Sequence, residues 1–438
     1  MQCSGVSPEW FGENADDNAV DYEDDFRYCG RLSGEAEEAI VKTAQRKPQT
    51  MTSRIARVEA IPIISPIGSA NDLDGTADTV VIKVFDEDGR YGFGETDAPP
   101  FVVKSFIDMP TAHLWSRNAS EILIGQDPIE IAGIWQKLYD GTFWPGRRGL
   151  GIHALSAIDI ALHDLAGKQL GLPAYKIMGG ARREKLKPYC TIFPGLAQGR
   201  GIDDLMTEIY RQFETAIQVG FRAVKMEVLF YDLVTDAELI RLIGEGRRAL
   251  GDDILMAVDF GYRWNNWHDA FRVLERITDH NIFFAEATLQ HDDLLGHARL
   301  AERSSIRICG AEAAATRFEI REWLTVGKVG VVQPNIGRCG GLTEIRRIAD
   351  LCELLGAEVI PHGWKTGITS AAGRHFQAAC PAAPLFEYVS PHVFDSPLRR
   401  DLVSPEPTVR DGLMDLPTGP GLGIELNEEL VNRWRADR

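Results

Sequence analysis

Beyond about residue 185 the chain becomes rhythmic: a short apolar run ends in a polar residue, a helical stretch follows, and the pattern starts again. The runs are PYCTIF, FRAVKMEV, ILMAVDF, NIFFAEA, IRICGAE, VGVVQPN, AEVIPHG and PLFEY. Eight such runs alternating with helices predict a parallel (β/α)8-type barrel, an α/β fold, over residues 185–400. The polar residues that close the later runs, Asp259, Glu286, Glu312, Asn335, His362 and Glu387, follow one another at steps of 27, 26, 23, 27 and 25 residues. A step that steady is one βα unit.

Residues 51–184 follow another pattern. RIARVEAIPI reads as a strand, and ADTVVIKVFDEDGRYGFGET as two strands around an Asp-Gly turn. GIHALSAIDIALHDLAGKQLG sets Leu155, Ile158, Leu162 and Leu165 at helical spacing, with Gly171 and Pro173 as stop signals. This stretch is expected to be an α+β domain. The Pro- and Gly-rich segment 401–438 is expected to return to it. Residues 1–50 differ from both: they carry eleven acidic and five basic residues without sustained apolar periodicity, and read as a poorly ordered extension. Met51 opens the new regime and is a candidate translation start.

Composition narrows the function classes. With 438 residues, 44% of them hydrophobic and 25% charged, the chain has the make-up of an ordinary globular protein with room for a large core. A net charge of -17 argues against a nucleic-acid surface, although a bound divalent cation can still make one site attractive to a small anion. The seven cysteines are scattered and form no Cys-x-x-Cys pair, so neither a disulfide framework nor a zinc site is expected. No apolar run approaches spanning length, and the first thirty residues lack the basic start and apolar stretch of a secretory signal. The cytoplasm is the default location, with no membrane partner.

In a barrel of this type the C-terminal ends of the strands converge on one mouth, where active sites are built. Asp259, Glu286 and Glu312 close three successive runs. Three carboxylates held together repel one another unless a divalent cation neutralises them, and an oxygen-only donor set suits Mg2+. They are the candidate metal ligands.

From about residue 54 to 425 the chain resembles the mandelate racemase branch of the enolase superfamily. The segments SAIDIALHDLAGKQLGLPAYKIMGG, VDFGYRW, AEATLQ, GAE, QPNIGRCGGLTE and PHGW carry the resemblance in order. It implies an α+β capping domain over a modified barrel, Mg2+ on Asp259, Glu286 and Glu312, acid/base residues on neighbouring strand ends, and a homo-oligomer. Removing a proton α to a carboxylate creates a dianionic enediolate, whose charge Mg2+ and a nearby cation such as Lys225 would stabilise. His362 is the candidate base, because imidazole titrates near neutrality. Glu387 resembles the family's acid that hydrogen-bonds the substrate. Arg338 and Lys365 are candidate contacts for a second anionic group, and Trp364 for shaping the pocket. The loops Ile67–Asp78 and Glu95–Phe101 are candidate specificity loops.

Two positions depart from the family pattern. Where the branch has Lys-x-Lys on the second strand, this chain has Lys225-Met226-Glu227. Alternation points Glu227 into the site beside Lys225, either as a proton carrier or substrate contact, or as an ion-pair partner of that lysine. Where the family has an aspartate behind the histidine, this chain has Asn335, which can orient an imidazole without stabilising the imidazolium. Loss of the second lysine weakens a two-base racemisation, whereas a syn dehydration can run on one histidine. The expected activity is therefore dehydration of a sugar acid, an aldonate or aldarate, to a 2-keto-3-deoxy acid. Racemisation or epimerisation of a 2-hydroxy acid is the first alternative, and a catalytically weakened binding protein the second.

Overall fold

The computed structural model describes residues 52–66, 77–230 and 233–438. The expected extension 1–50 and residues 67–76 of the first specificity loop lie outside them. Strands β1 (Ile55–Ile64), β2 (Asp78–Asp86) and β3 (Tyr91–Thr96) form an antiparallel sheet in that order. The β2–β3 turn is closed by the Asp86 carboxylate, which accepts the backbone N–H groups of Asp88 and Arg90 at 3.0 and 2.9 Å, while Gly89 supplies a φ of 84°. A helix, Leu150–Leu170, lies directly on β3. Its approach depends on Gly92 and Gly94, two residues apart and so on one face of the strand. A Cβ on either would stand 2.1 or 2.2 Å from the backbone oxygen of Ala161 or Ala157. The helix stops at Gly171, which takes the left-handed conformation at φ 66°.

After the short strand β4 (Lys185–Leu186) the barrel begins. Its strands are β5 (Pro188–Ile192), β6 (Ala223–Glu227), β7 (Leu255–Asp259), β8 (Ile282–Glu286), β9 (Ile308–Gly310), β10 (Val331–Val332), β11 (Glu358–Val359) and β12 (Phe386–Tyr388). They pair in parallel in chain order, with β12 beside β5. The Glu387 N–H reaches the Pro361 carbonyl at 3.4 Å across the β11–β12 seam. Helices of at least ten residues follow the first seven strands, while only Pro397–Asp401 follows β12. The barrel is thus seven full βα units and a closing strand.

Three strands are shorter than their apolar runs. Glu312, Asn335 and His362 stand past the ends of β9, β10 and β11 rather than ending them, although Asn335 and His362 still form one isolated parallel bridge. The chain turns out of the ladder early there, which frees these side chains to face the mouth. Tyr189, Ala223, Ala257, Phe284, Cys309, Val331, Ile360 and Leu385 pack together as an apolar plug inside the barrel, leaving polar side chains to collect at its other end. The five cysteines among the described residues are free and buried. Among the described residues no helix is long and apolar enough to cross a membrane.

The C-terminal segment runs back over both parts. Strand β13 (Val403–Ser404) pairs with β15 (Glu425–Leu426), and β14 (Met414–Asp415) with β4. The Ala436 N–H bonds the Pro62 carbonyl at 2.9 Å, and the Lys83 ammonium bonds the Glu428 carboxylate at 2.7 Å.

His375 ties three segments together. Its Nδ1 accepts the Tyr175 N–H at 3.1 Å, and its Nε2–H donates to the Leu422 carbonyl at 3.0 Å. Burial, with smaller contributions from Arg374 and His163, holds it at about 3 against an ordinary value near 6.5. The unfolded chain therefore binds a proton that the folded chain refuses. Stability present above about pH 6.5 is lost as pH falls toward 3, on the order of several kcal/mol in full. His375→Gln keeps an acceptor and a donor but cannot titrate. Its thermal midpoint is expected to fall less between pH 7 and 4.5 than that of the wild type, and parallel curves would refute the assignment. Other buried histidines, such as His153, add to both curves alike.

Candidate active site

Register brings the site together. Glu227 pairs with Asp259 across β6 and β7, and Asp259 with Glu286 across β7 and β8, so three carboxylates stand side by side at neighbouring strand ends. Strands are about 4.8 Å apart. Left-handed residues flank the metal-ligand candidates: Ala287 (φ 47°) follows Glu286, and Ala311 (φ 79°) precedes Glu312. An L-residue in that region costs roughly 1–3 kcal/mol, and such strain collects where a side chain must be aimed.

At the centre is the Lys225 ammonium, almost wholly buried, 3.0 Å from Glu286, 3.0 Å from Glu387 and 3.4 Å from Asp259. It makes no ion pair with Glu227, its near neighbour in sequence, so the ion-pair alternative for Glu227 is not what the fold adopts. Burial alone would lower the lysine, but Glu286, Glu387 and Asp259 outweigh it and hold the ammonium well above its ordinary value. The carboxylates share that cation unequally. Burial would raise Glu387, yet Lys225, His362, the Thr191 hydroxyl and the Gly363 N–H at 2.6 Å bring it down to about 2. Glu286 is pushed well above the ordinary range by burial, and repulsion from Asp259 and Glu387 offsets part of what Lys225 restores. Burial and Asp259 do the same to Glu227. Asp259 is raised by burial against the opposing pull of Lys225, with repulsion from Glu312 adding to the rise.

Glu312 stands on the other side of the group. Its Oε1 accepts the Tyr262 hydroxyl at 2.6 Å and its Oε2 lies 3.1 Å from His362 Nε2. Burial would raise it, but His362, Arg338 and Tyr262 hold it below the ordinary value. His362 Nδ1 is 2.8 Å from Asn335 Nδ2.

Glu227, Asp259, Glu312 and His362 form the polar floor of a cavity of about 270 Å3. Phe193 and Trp364, edge to face with centroids 5.5 Å apart, form its apolar wall, with Phe394 behind Trp364. A larger cleft of about 430 Å3 beside Asp236 and Arg263 has no comparable cluster of buried ionisable groups, so chemistry rather than size identifies the site.

Arg338 and Lys365 reach the same region but are already engaged. Arg338 Nε bonds Asp97 at 2.7 Å, and Lys365, 2% exposed, stands 3.3 Å from Asp78. Both partners come from the capping domain. Glu95, at the start of the second specificity loop, is wholly buried: its carboxylate accepts the Thr79 hydroxyl and both the N–H and hydroxyl groups of Thr366 and Thr369. It latches cap to barrel rather than facing substrate.

Sequence reasoning missed Tyr262, Gln333 and Thr191, and had Asp97 only as part of a candidate specificity loop, without its partner. Gln333 Nε2 bonds Glu286 at 2.7 Å. Gln333 precedes Asn335 by two residues, so alternation along the sixth run was a usable signal for it. The remaining three depend on contacts between distant segments.

Among the described residues no three His, Cys, Asp or Glu side chains converge on one point as a ready metal site. Lys225 is what joins Asp259 and Glu286. The donor set nevertheless fits a hard divalent cation: it is all oxygen, Glu286 Oε1 is buried without any partner, and burial, with repulsion between the carboxylates adding to it, raises Glu286 and Asp259.

Residues 51–179 match the mandelate racemase / muconate lactonizing enzyme N-terminal domain, and residues 208–430 the enolase C-terminal domain-like family. A D-galactarolactone cycloisomerase of Agrobacterium fabrum is 30% identical over 81% of this chain and 91% of its own length. An L-rhamnonate dehydratase of Saccharopolyspora erythraea is 28% identical over 81% and 85%. A crystal structure provisionally named a racemase is 45% identical, with a TM-score of 0.83 over 88% of this chain and 99% of that one. A racemase from Streptomyces coelicolor A3(2), solved with bound magnesium, is 25% identical with a TM-score of 0.73 over 87% and 100%. The chain belongs to the mandelate racemase / muconate lactonizing enzyme branch of the enolase superfamily, with a capping domain over a modified TIM barrel.

Proposed function

We propose that this chain is a Mg2+-dependent sugar-acid dehydratase that removes the proton α to a carboxylate and the β-hydroxyl of an aldonate or aldarate. The observation that carries the reading is the buried Lys225 ammonium held by Asp259, Glu286 and Glu387, beside a cavity lined by Glu227, Asp259, Glu312 and His362. Asp259, Glu286 and Glu312 would hold the metal, which supplies positive charge against the enediolate. Lys225 adds a fixed cation to the same side, and Glu387, ionised and triply bonded, keeps that ammonium in place. In the reaction the α-proton passes to a side chain on the cavity wall, the β-hydroxyl leaves with a proton as water, and the enol product ketonises to the 2-keto-3-deoxy acid. Trp364 and Phe193 shield this exchange from bulk water. Relatives named as rhamnonate, gluconate and galactonate dehydratases support the substrate class.

Incubation with a panel of aldonates and aldarates and Mg2+, read by 2-keto acid formation, is expected to give product with at least one member. Exchange of the α-proton with solvent deuterium across the panel, without keto acid, would instead favour racemisation or epimerisation. One observation supports that second reading: Glu227 and His362, both able to carry protons, come from β6 and the end of β11 and line the cavity from different strands.

A further inference from the structure

We propose that Asn335 and Gly337 lock His362 into the Nε2–H tautomer, so that the neutral ring presents a hydrogen-bond donor, not a lone pair, to the reacting groups. The inference rests on the dehydratase reading for its catalytic consequence, but on geometry alone for the tautomer.

The argument is a chain of obligatory donors. The Gly337 N–H can only donate, and it points at one end of the Asn335 amide at 2.7 Å. That end must therefore be Oδ1, which places the NH2 group at the other end, 2.8 Å from His362 Nδ1. An amide NH2 also can only donate, so Nδ1 must receive the bond with its lone pair. In a neutral imidazole the proton then resides on Nε2.

The Gly337 peptide that starts the chain is itself held from the capping domain, because the Thr96 hydroxyl donates to the Gly337 carbonyl at 2.7 Å. A Cβ at Gly337 would come within 3.2 Å of Asn335 Oδ1 and 3.4 Å of the Glu95 carbonyl, so the peptide sits close against both. Nothing in this linkage depends on what Nε2 faces. An aspartate at position 335 would do the opposite: its second oxygen would accept an Nδ1–H and turn the Nε2 lone pair toward the cavity. Asn335 and Gly337 are thus positioning residues, and His362 donates a hydrogen bond to a substrate oxygen as charge or a leaving group develops there, keeping its own proton; the proton that the departing hydroxyl carries away as water is the α-proton, returned by the side chain that accepted it. Glu227 is the remaining cavity-lining group not already claimed as a metal ligand that can accept the α-proton.

The test uses full-length protein labelled with 15N in histidine and a long-range 1H–15N correlation spectrum at neutral pH, with His362 assigned by its absence in His362→Gln. The expected wild-type pattern is a non-protonated Nδ1 and a protonated Nε2, and Asn335→Asp is expected to reverse it. A wild-type Nδ1–H tautomer, an imidazolium, or an Asn335→Asp spectrum unchanged from wild type would each overturn the lock. In the sugar-acid assay Asn335→Asp is expected to lower kcat roughly 100-fold, as for loss of one donor to a developing charge. Equal or higher kcat would overturn the donor role. The expected tautomer in a protein that dehydrates no sugar acid would sink the dehydratase reading alone, so the two failures are distinguishable.

Discussion

Lys225→Met is expected to cut turnover at least 10²-fold and to leave a protein whose stability depends on Mg2+ and on acid. Methionine keeps most of the side-chain volume and removes the only ammonium among the described residues within 4 Å of Glu286 and Glu387. Two carboxylates about 4 Å apart repel by about 4 kcal/mol at an effective dielectric near 20, and removing one member of a buried ion pair costs about 3–5 kcal/mol. A loss of that size is expected in urea unfolding at pH 7.5 in the presence of EDTA. Part should return on adding millimolar Mg2+, and part on lowering the pH to 5.5. The sign of the pH effect follows from Glu286 and Glu227, which are raised well above their unfolded values: their contribution is present at low pH and is lost as pH rises through the folded values. Removing the cation raises them further. Turnover is expected to fall 10²- to 10³-fold or more, the size of effect that accompanies loss of a fixed charge at a developing oxyanion. A variant as stable as wild type in EDTA would show that Lys225 does not hold the carboxylates together.

What the sequence made legible, and what it hid, divides along one physical line. The eight strands and the capping hairpin were readable because alternation and period are local properties, and register then carried Glu227, Asp259 and Glu286 to one edge. Pairings made across the cap–barrel junction were not readable. Arg338 and Lys365 looked like cations available to a substrate, yet their partners Asp97 and Asp78 lie 241 and 287 residues away in the chain. A local pair of Lys225 with Glu227 was one of the readings the sequence left open, yet the ammonium turns to Glu286 and Glu387, which stabilise it at the cost of leaving Glu227 with the carboxylates. Asn335 looked like a weakened aspartate. Only the Gly337 N–H, whose peptide the cap holds through Thr96, shows which end of that amide faces the imidazole.

Glu286→Gln should separate stability from function in the opposite direction to Lys225→Met. Glu286 is 1% exposed; one oxygen receives Gln333 and Lys225 while the other has no partner. A buried acceptor without a donor costs about 1–3 kcal/mol, and the charge it carries is opposed by Asp259 and Glu387. Glutamine keeps an oxygen for the two donors and removes the charge. Lys225 retains Glu387 and Asp259. In EDTA the variant is therefore expected to unfold at the same temperature as wild type or higher, with a gain of about 1 kcal/mol at most. With Mg2+ the order should invert. A ligand at 100 times its Kd stabilises the folded state by about 2.7 kcal/mol. The wild type is expected to gain that increment and Glu286→Gln to lose most of it, together with at least about 10³-fold in kcat, the upper end of what loss of one electrostatic stabiliser costs. Differential scanning calorimetry with and without Mg2+ reads both effects. A Glu286→Gln protein that keeps the full Mg2+ increment would remove Glu286 from the ligand set. One that melts well below wild type in EDTA would make this carboxylate an anchor for Lys225, retained for folding rather than stored for the metal.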